Sequence, residues 1–300
     1  MAMQTIGIDI GGTSIKGIVM NSQGEKLGEI QQPTDAALGK KHIVLHVQEV
    51  TQQLLRRFPH IATIGIGTAG VVDVNTGQIV YATDNLPGWH GFRLKQWAEE
   101  RFGRKVIVDN DANVALAGEY WLGAGKDCSD LTMLTLGTGV GGANMIRGEI
   151  YRGANWTGGE WGHVIFTPRG RPCNCGMEGC IEQYISGTAL VRSAQEAANV
   201  PYASGHEVFA DFAKGNPAIA RVVGQFVRDL ALIIHNIHNG LNPGRIIIGG
   251  GIVDAKSFWW DLLEKQLNLL PSKIEVRPAV LGNQAGAIGA ARLAMLTKGF

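Results

Sequence analysis

IGIDIGGTSIKGIVMNSQGE, residues 6–25, decides how the chain is to be read. A β-branched apolar run ends in a carboxylate, Asp9, and turns on Gly11 and Gly12. A second apolar run follows and closes on a polar turn, so the pattern predicts a hairpin of two strands. LTLGTGVGGANMIRGEIYRG, residues 134–153, reads the same way: strand, glycine-rich turn, strand, polar turn. Two hairpins of one design, one opening each half, predict two domains of similar plan facing each other, with a boundary near residue 113. Further short apolar runs, ATIGIGTAG, KVIVDND, LTMLTLG and RIIIGGG, each end in Gly, Asp or Asn. Segments with helical spacing lie between several of them, as over 42–58 and 217–242, and strands alternating with helices predict an α/β fold.

Composition narrows the function classes. The chain has 300 residues, 45% hydrophobic and 18% charged, with a net charge of +1, so no polyelectrolyte partner is implied and a nucleic-acid binder is not expected. No apolar run reaches the length that spans a bilayer, and the start, MAMQTIGIDI, lacks the marks of a signal peptide. Together these lead to the expectation of a cytoplasmic protein whose thiols stay reduced.

The glycine turns are the first candidates for chemistry. In Asp9-Ile10-Gly11-Gly12-Thr13 a strand ends in a carboxylate and leaves backbone N–H groups and a hydroxyl free to meet an anion, with Lys16 on the strand that follows. The second hairpin supplies Thr138 and Gly139. Either turn alone could be an ordinary tight hairpin. As a pair they suit a nucleotide triphosphate held by one turn from each half, with Asp9 holding Mg²⁺ through water. Gly249, Gly250 and Gly251 follow the strand RIIIGGG, where close approach of a flat ligand such as adenine competes with a plain strand-to-helix turn.

Asn110-Asp111-Ala112-Asn113 follows the strand KVIVD at its carboxyl end, where open α/β sheets place ligands. Of Asp109 and Asp111, Asp111 sits after Asn110 and close to Asn113 and is the better candidate for a base acting on a sugar hydroxyl. The competing reading makes Asp111 the N-cap of the helix behind it.

One segment concentrates metal-ligand chemistry. His163, Cys173, Cys175 and Cys180 form a Cys₃His set, and only Cys128 lies elsewhere. That is the ligand number and type of a closed structural Zn²⁺ site, although Cys-x-Cys is a less usual spacing. A reactive thiol and inert buried cysteines are the alternatives. Such a zinc would act as a staple, fixing Glu160 and Glu182 at the two ends of the loop as acceptors for a polyol's hydroxyls. Glu178, inside the loop, is expected to be solvated. His235 and His238, and Trp156, Trp259 and Trp260, are expected to serve packing or surface roles.

Together these residues resemble the ROK family (repressors, open reading frames and sugar kinases) of the actin-like and hexokinase-like ATPase superfamily. The most specific part is Glu160-x-Gly162-His163 followed by Cys173-x-Cys175-Gly176-x-x-Gly179-Cys180-x-Glu182. Residues 134–163 and LNPGRIIIGGGI correspond to further family blocks. The resemblance implies a two-domain actin-like, ribonuclease H-like ATPase fold with an inter-domain cleft. Residues 1–113 would form the small domain, a helix over 284–300 would pack back on it, and 114–283 would form the large domain with the zinc loop 160–182.

The implied activity is ATP- and Mg²⁺-dependent phosphorylation of a hexose, with glucose kinases the most similar members. Kinases for fructose, N-acetylglucosamine, N-acetylmannosamine or allose, and a non-catalytic sugar sensor, stand as alternatives. Asp111 matches the family's catalytic base; Asn110, Glu160, His163 and Glu182 match its sugar ligands, with Gly70 and Asn85 as further candidates. Gly11, Gly12, Thr13, Thr138 and Gly139 fall on its phosphate loops. Family members are usually homodimers. The first phosphate loop begins at residue 9, so no DNA-reading domain is expected ahead of it.

Overall fold

The structure, a computed structural model, describes residues 2–83 and 86–297. The candidate Asn85 lies outside the described residues. In chain order the elements are β1 (Gln4–Ile10), β2 (Ser14–Asn21), β3 (Lys26–Pro33), α1 (Lys40–Arg57), β4 (Thr63–Thr68), β5 (Val71–Asp73), β6 (Gln78–Tyr81), α2 (Leu94–Phe102), β7 (Lys105–Asn110) and α3 (Asp111–Leu122). There follow β8 (Leu131–Leu136), β9 (Val140–Ile146), β10 (Glu149–Tyr151), α4 (Glu182–Ile185), α5 (Gly187–Ala198), α6 (Gly205–Ala213), α7 (Pro217–Leu241), β11 (Arg245–Gly249), α8 (Trp260–Leu267), β12 (Val276–Pro278) and α9 (Ala285–Leu296). The chain divides into two compact units, the first holding residues to Asp127, Ile150–Gly158 and the chain from Asn283, the second Cys128–Glu149 and Gly159–Gly282.

The first unit is built on a sheet of order β3-β2-β1-β4-β7, antiparallel across β1–β2 and β2–β3 and parallel across β1–β4 and β4–β7. Period-2 alternation sets the two faces of β1. Ile6, Ile8 and Ile10 are fully buried in one apolar core with Val47, Val50 and Leu54, which α1 presents at helical spacing. The intervening residues meet α9: Thr5 donates its hydroxyl to the Ala291 carbonyl at 3.0 Å, and a Cβ on Gly7 would stand 1.8 Å from the Ala287 carbonyl oxygen. Asp9 continues that face, since a Cβ on Gly286 would fall 2.6 Å from its carboxylate. Helix α9 also presses on α3, where a Cβ on Gly289 would lie 1.7 Å from the Val114 carbonyl oxygen. A helix this poor in large side chains packs by backbone approach, and glycine at 7 and 289 is its condition.

The same contact carries α3 into the first unit. The division therefore falls after Asp127, past the position near residue 113 expected from the strand pattern.

The second unit repeats the plan with a sheet of order β10-β9-β8-β11-β12, antiparallel across β8–β9 and parallel across β8–β11 and β11–β12. Its core joins Leu134, Leu136, Ile246 and Ile248 from the sheet to Val223, Phe226, Leu230 and Ile234 from α7. Trp259 is fully buried there and donates its indole N–H to the Ile252 carbonyl at 3.2 Å, a packing role as expected. His235 and His238 lie partly buried on α7, and the Asn239 amide lies 3.1 Å from His235 Nε2. Among the described residues no helix is long and apolar enough to cross a membrane.

Candidate active site

In the first unit the turn after β1 is tied from outside the hairpin. The Thr34 hydroxyl donates to the Gly11 carbonyl at 2.6 Å and its N–H to the Thr13 carbonyl at 3.0 Å, while Gly12 stays exposed with open space around it. Thr34 has no side-chain exposure to advertise it, and sequence reasoning missed it. Asp9 pairs with Lys16 across the β1–β2 ladder. Burial first, then the Asp111 charge, push Asp9 up to about 7, against the pull of Lys16.

At the end of β7 the two aspartates separate because the strand stops at Asn110 and Asp111 already belongs to α3. Asp109 is 3% exposed and fully engaged. Its Oδ1 accepts from the Asn113 amide at 2.9 Å, and its Oδ2 accepts from Arg152 through Nη2 and, at 3.0 Å, through Nε. Asp111 has no ion pair among the described residues, is half-buried, and is raised above the ordinary carboxylate range by burial. It is not the helix cap. Asn110 is: its Oδ1 accepts from the Ala112 and Asn113 N–H groups at 2.9 and 3.3 Å. Capping by Asn110 leaves Asp111 as the first helical residue, its Oδ1 accepting from the Ala112 N–H at 2.9 Å. The Asn110 amide donates to the Gly70 carbonyl at 3.1 Å, so one side chain holds the helix start and the loop after β4 together.

In the second unit the Cys₃His set assembles. The ligand atoms of His163, Cys173, Cys175 and Cys180 all lie within 4.8 Å of one another, with Cys173 Sγ 3.8 Å from His163 Nδ1 and Cys175 Sγ 3.6 Å from Cys180 Sγ. Sulfurs about 2.3 Å from a tetrahedral zinc stand about 3.8 Å apart, close to the 3.6 Å between Cys175 and Cys180. Burial and then the neighbouring thiols push Cys180 up to about 12, a cost that a dication among the sulfurs would reverse. All four cysteines are free thiols. Local backbone shapes the loop: Cys173 N–H bonds the Met177 carbonyl at 2.8 Å, and Gly179, at φ +83°, leaves no room for a Cβ beside the Thr167 carbonyl. Glu178 is exposed, as expected.

Both ends of this loop dock on the β8–β9 hairpin. Glu160 precedes a single 3₁₀ turn, Trp161–His163. There a Cβ on Gly162 would meet the Val140 carbonyl oxygen at 2.1 Å, and the Trp161 indole N–H donates to Asn144 Oδ1 at 3.0 Å. At the other end Glu182 Oε2 accepts the Val140 N–H at 3.0 Å. Asn144 and Val140 were not legible as partners from sequence.

Thr138 and Gly137 line a cavity of about 490 Å³ with Thr188, Ser204, His206, Phe209, Gly251 and Asp254. Only the third of the three consecutive glycines reaches it. Gly249 packs on Met133, and Gly250, at φ +83°, lies against Leu136, so close protein neighbours call for glycine at both positions. A larger cavity, about 570 Å³, is lined by Phe166, Arg171, Tyr184 and Asp229 and by none of the residues expected from sequence.

Two sheets of one strand order, each opening on a hairpin with a glycine turn, and a carboxylate at the end of a parallel strand are the marks of an actin-like ATPase fold. The chain belongs to the ROK family, whose model matches residues 5–296. It is 34% identical over 307 residues to a glucokinase of Halalkalibacterium halodurans, covering 95% of this chain and 92% of the relative. Among solved structures, a ROK hexokinase of Thermus thermophilus superposes with a TM-score of 0.87 at 33% identity, covering 98% of each chain. A ROK family glucokinase of Streptomyces griseus, in complex with glucose and AMPPNP, superposes with a TM-score of 0.84 at 31% identity, covering 97% of this chain and 99% of the other.

Proposed function

We propose that the protein is a sugar kinase that transfers the γ-phosphoryl group of ATP to a hexose, with glucose as the acceptor and glucose 6-phosphate as the product. The observation that carries the chemistry is the division between two neighbouring carboxylates: Asp109 is spent on Arg152 and Asn113, whereas Asp111 has no ion pair among the described residues and is raised by burial. A base of raised pKa matches the task of taking the proton of an attacking hydroxyl.

Asp111 accepts that proton as the hydroxyl oxygen bonds phosphorus and ADP leaves. Asn110, Glu160, His163 and Glu182 hold the sugar hydroxyls, with Gly70 fixed beside Asn110. Gly11, Gly12 and Thr13 with Lys16, and Thr138 with Gly139, present N–H, hydroxyl and ammonium groups to the phosphates, and the cavity containing Gly251 takes the adenosine. Mg²⁺ would be held by Asp9 with the nucleotide, where it would neutralise phosphate charge. The donor set of His163, Cys173, Cys175 and Cys180 fits a structural Zn²⁺, whose closed shell leaves no catalytic position. Because phosphoryl transfer has a loose transition state, positioning and charge neutralisation supply most of the acceleration, with the base a secondary term.

Asp111→Ala is expected to lower kcat by about two to four powers of ten while nucleotide affinity stays within about twofold. Turnover equal to wild type in that variant would remove Asp111 from the mechanism. The raised carboxyl also sets the sign of the pH profile: kcat/KM rises with pH as Asp111 loses its proton, with its midpoint above the ordinary carboxylate range. Assembly as a homodimer and residence in the cytoplasm belong to the same proposal, and sedimentation of the purified protein tests the first.

A further inference from the structure

We propose that Glu182 is a positioning residue for the nucleotide as well as a ligand for the sugar, a reading that rests on the kinase function proposed above. The two oxygens of its carboxylate are differently placed. Oε2 accepts the Val140 N–H at 3.0 Å, at the residue where the turn Gly137–Gly139 rejoins β9. Oε1 has no hydrogen-bond partner among the described residues.

The turn is moulded on this carboxylate. A Cβ on Gly139 would stand 2.2 Å from Glu182 Oε2, so the carboxylate in its present position lies directly against the turn, and a side chain at 139 would displace it. The same short stretch of chain grips the turn's other end: five residues after Glu182, the Gly187 N–H donates to the Gly137 carbonyl at 2.7 Å. That grip is itself rigid, because the Ser186 hydroxyl caps α5 by accepting the Ala189 N–H at 3.0 Å. Glu182 opens α4 two residues after Cys180, so the loop of the Cys₃His set, α4 and the glycine turn form one continuous mechanical unit. The exposed Thr138 and the N–H groups of the turn are thereby aimed before any phosphate arrives, which saves the ordering cost of a free loop.

The roles separate by reach and charge. In Glu182→Gln the side-chain carbonyl can still accept the Val140 N–H, but the carboxylate offered to a sugar hydroxyl is gone. In Glu182→Asp the charge remains and the reach does not. In Glu182→Ala both are lost.

The test is calorimetric binding of AMPPNP with Mg²⁺, in the absence of sugar, to wild type and the three variants, with KM for glucose and for ATP measured alongside. Glu182→Ala and Glu182→Asp are expected to bind the nucleotide about tenfold more weakly, equivalent to about 1.4 kcal/mol. Glu182→Gln is expected to stay within about twofold of wild type for nucleotide while its KM for glucose rises at least about tenfold. That rescue by the amide is a pattern general loss of structure would not give, and thermal melts of the variants check that each is folded. Equal nucleotide affinity in all four folded proteins overturns the inference and leaves the kinase reading intact. Failure of wild type to bind AMPPNP with Mg²⁺ overturns the kinase reading, and this inference with it.

Discussion

The two glycine turns occupy the same station in two sheets of one strand order, yet they are furnished in opposite ways. The first, after β1, is surrounded by ionisable groups: Asp9, raised to about 7 by burial and by Asp111, with Lys16 on the neighbouring strand. Behind it lies α9, pressed so close that glycine is needed on both sides of the contact. The second, after β8, carries no titratable side chain of its own and is backed by Glu182, the start of α5 and the thiol-rich loop. One plan of strands thus supports two different tasks. The first unit invests in charge at the cost of its own stability, and the second invests in fixing neutral N–H donors in place.

The contrast is sharpened first through packing. Gly289→Ala drives a methyl group into the Val114 carbonyl, which as backbone cannot step aside, so a loss of about 3 kcal/mol is expected in chemical denaturation. A change below about 0.5 kcal/mol would mean that α9 is not seated on α3 as described.

The corresponding lever in the second unit is the Cys₃His set. If the Cys₃His set holds the proposed zinc, chelation, or Cys175→Ala, is expected to weaken glucose binding by about 10–100-fold, because Glu160 and Glu182 lose the frame that joins them. A metal-free preparation with unchanged glucose affinity would break the stapling role.

The smallest expected effect concerns Asp9. Its folded pKa near 7 lies above the unfolded value near 4, so the folded state binds the proton more tightly. The stability this gives is complete below about pH 4 and is lost as pH rises through 7. Without nucleotide or Mg²⁺, Asp9→Asn should therefore melt about 2–4 °C above wild type at pH 8 and level with it at pH 4. Its affinity for nucleotide with Mg²⁺ should fall. A higher wild-type Tm at pH 8 would reverse the sign and remove Asp9 from the charge-bearing side of the comparison.

Local pattern carried the reading as far as local chemistry reaches. The hairpins, the Cys₃His spacing and Asp111 with its neighbouring asparagines are written in short windows. What stayed hidden depends on partners distant in sequence. Arg152, 43 residues from Asp109, takes that carboxylate out of contention, and Glu182, 42 residues from Val140, holds a turn that looked self-sufficient. The cap of α3 went to Asn110 and not Asp111, a choice between adjacent residues that helix propensity cannot rank, since both cap well. At Gly249 and Gly250 glycine reports closeness without saying to what, and the close protein neighbours, Met133 and Leu136, could not be read from sequence. The boundary near residue 113 overlooked that a helix can leave one sheet in sequence and still belong to it through α9.

The most direct measurement is ADP formation by the purified protein with ATP and Mg²⁺ across glucose, fructose, mannose, allose, N-acetylglucosamine and N-acetylmannosamine. A glucose kinase gives sugar-dependent ADP release with its highest kcat/KM on glucose. ADP formation at the same rate with and without every sugar, or none at all, would contradict it.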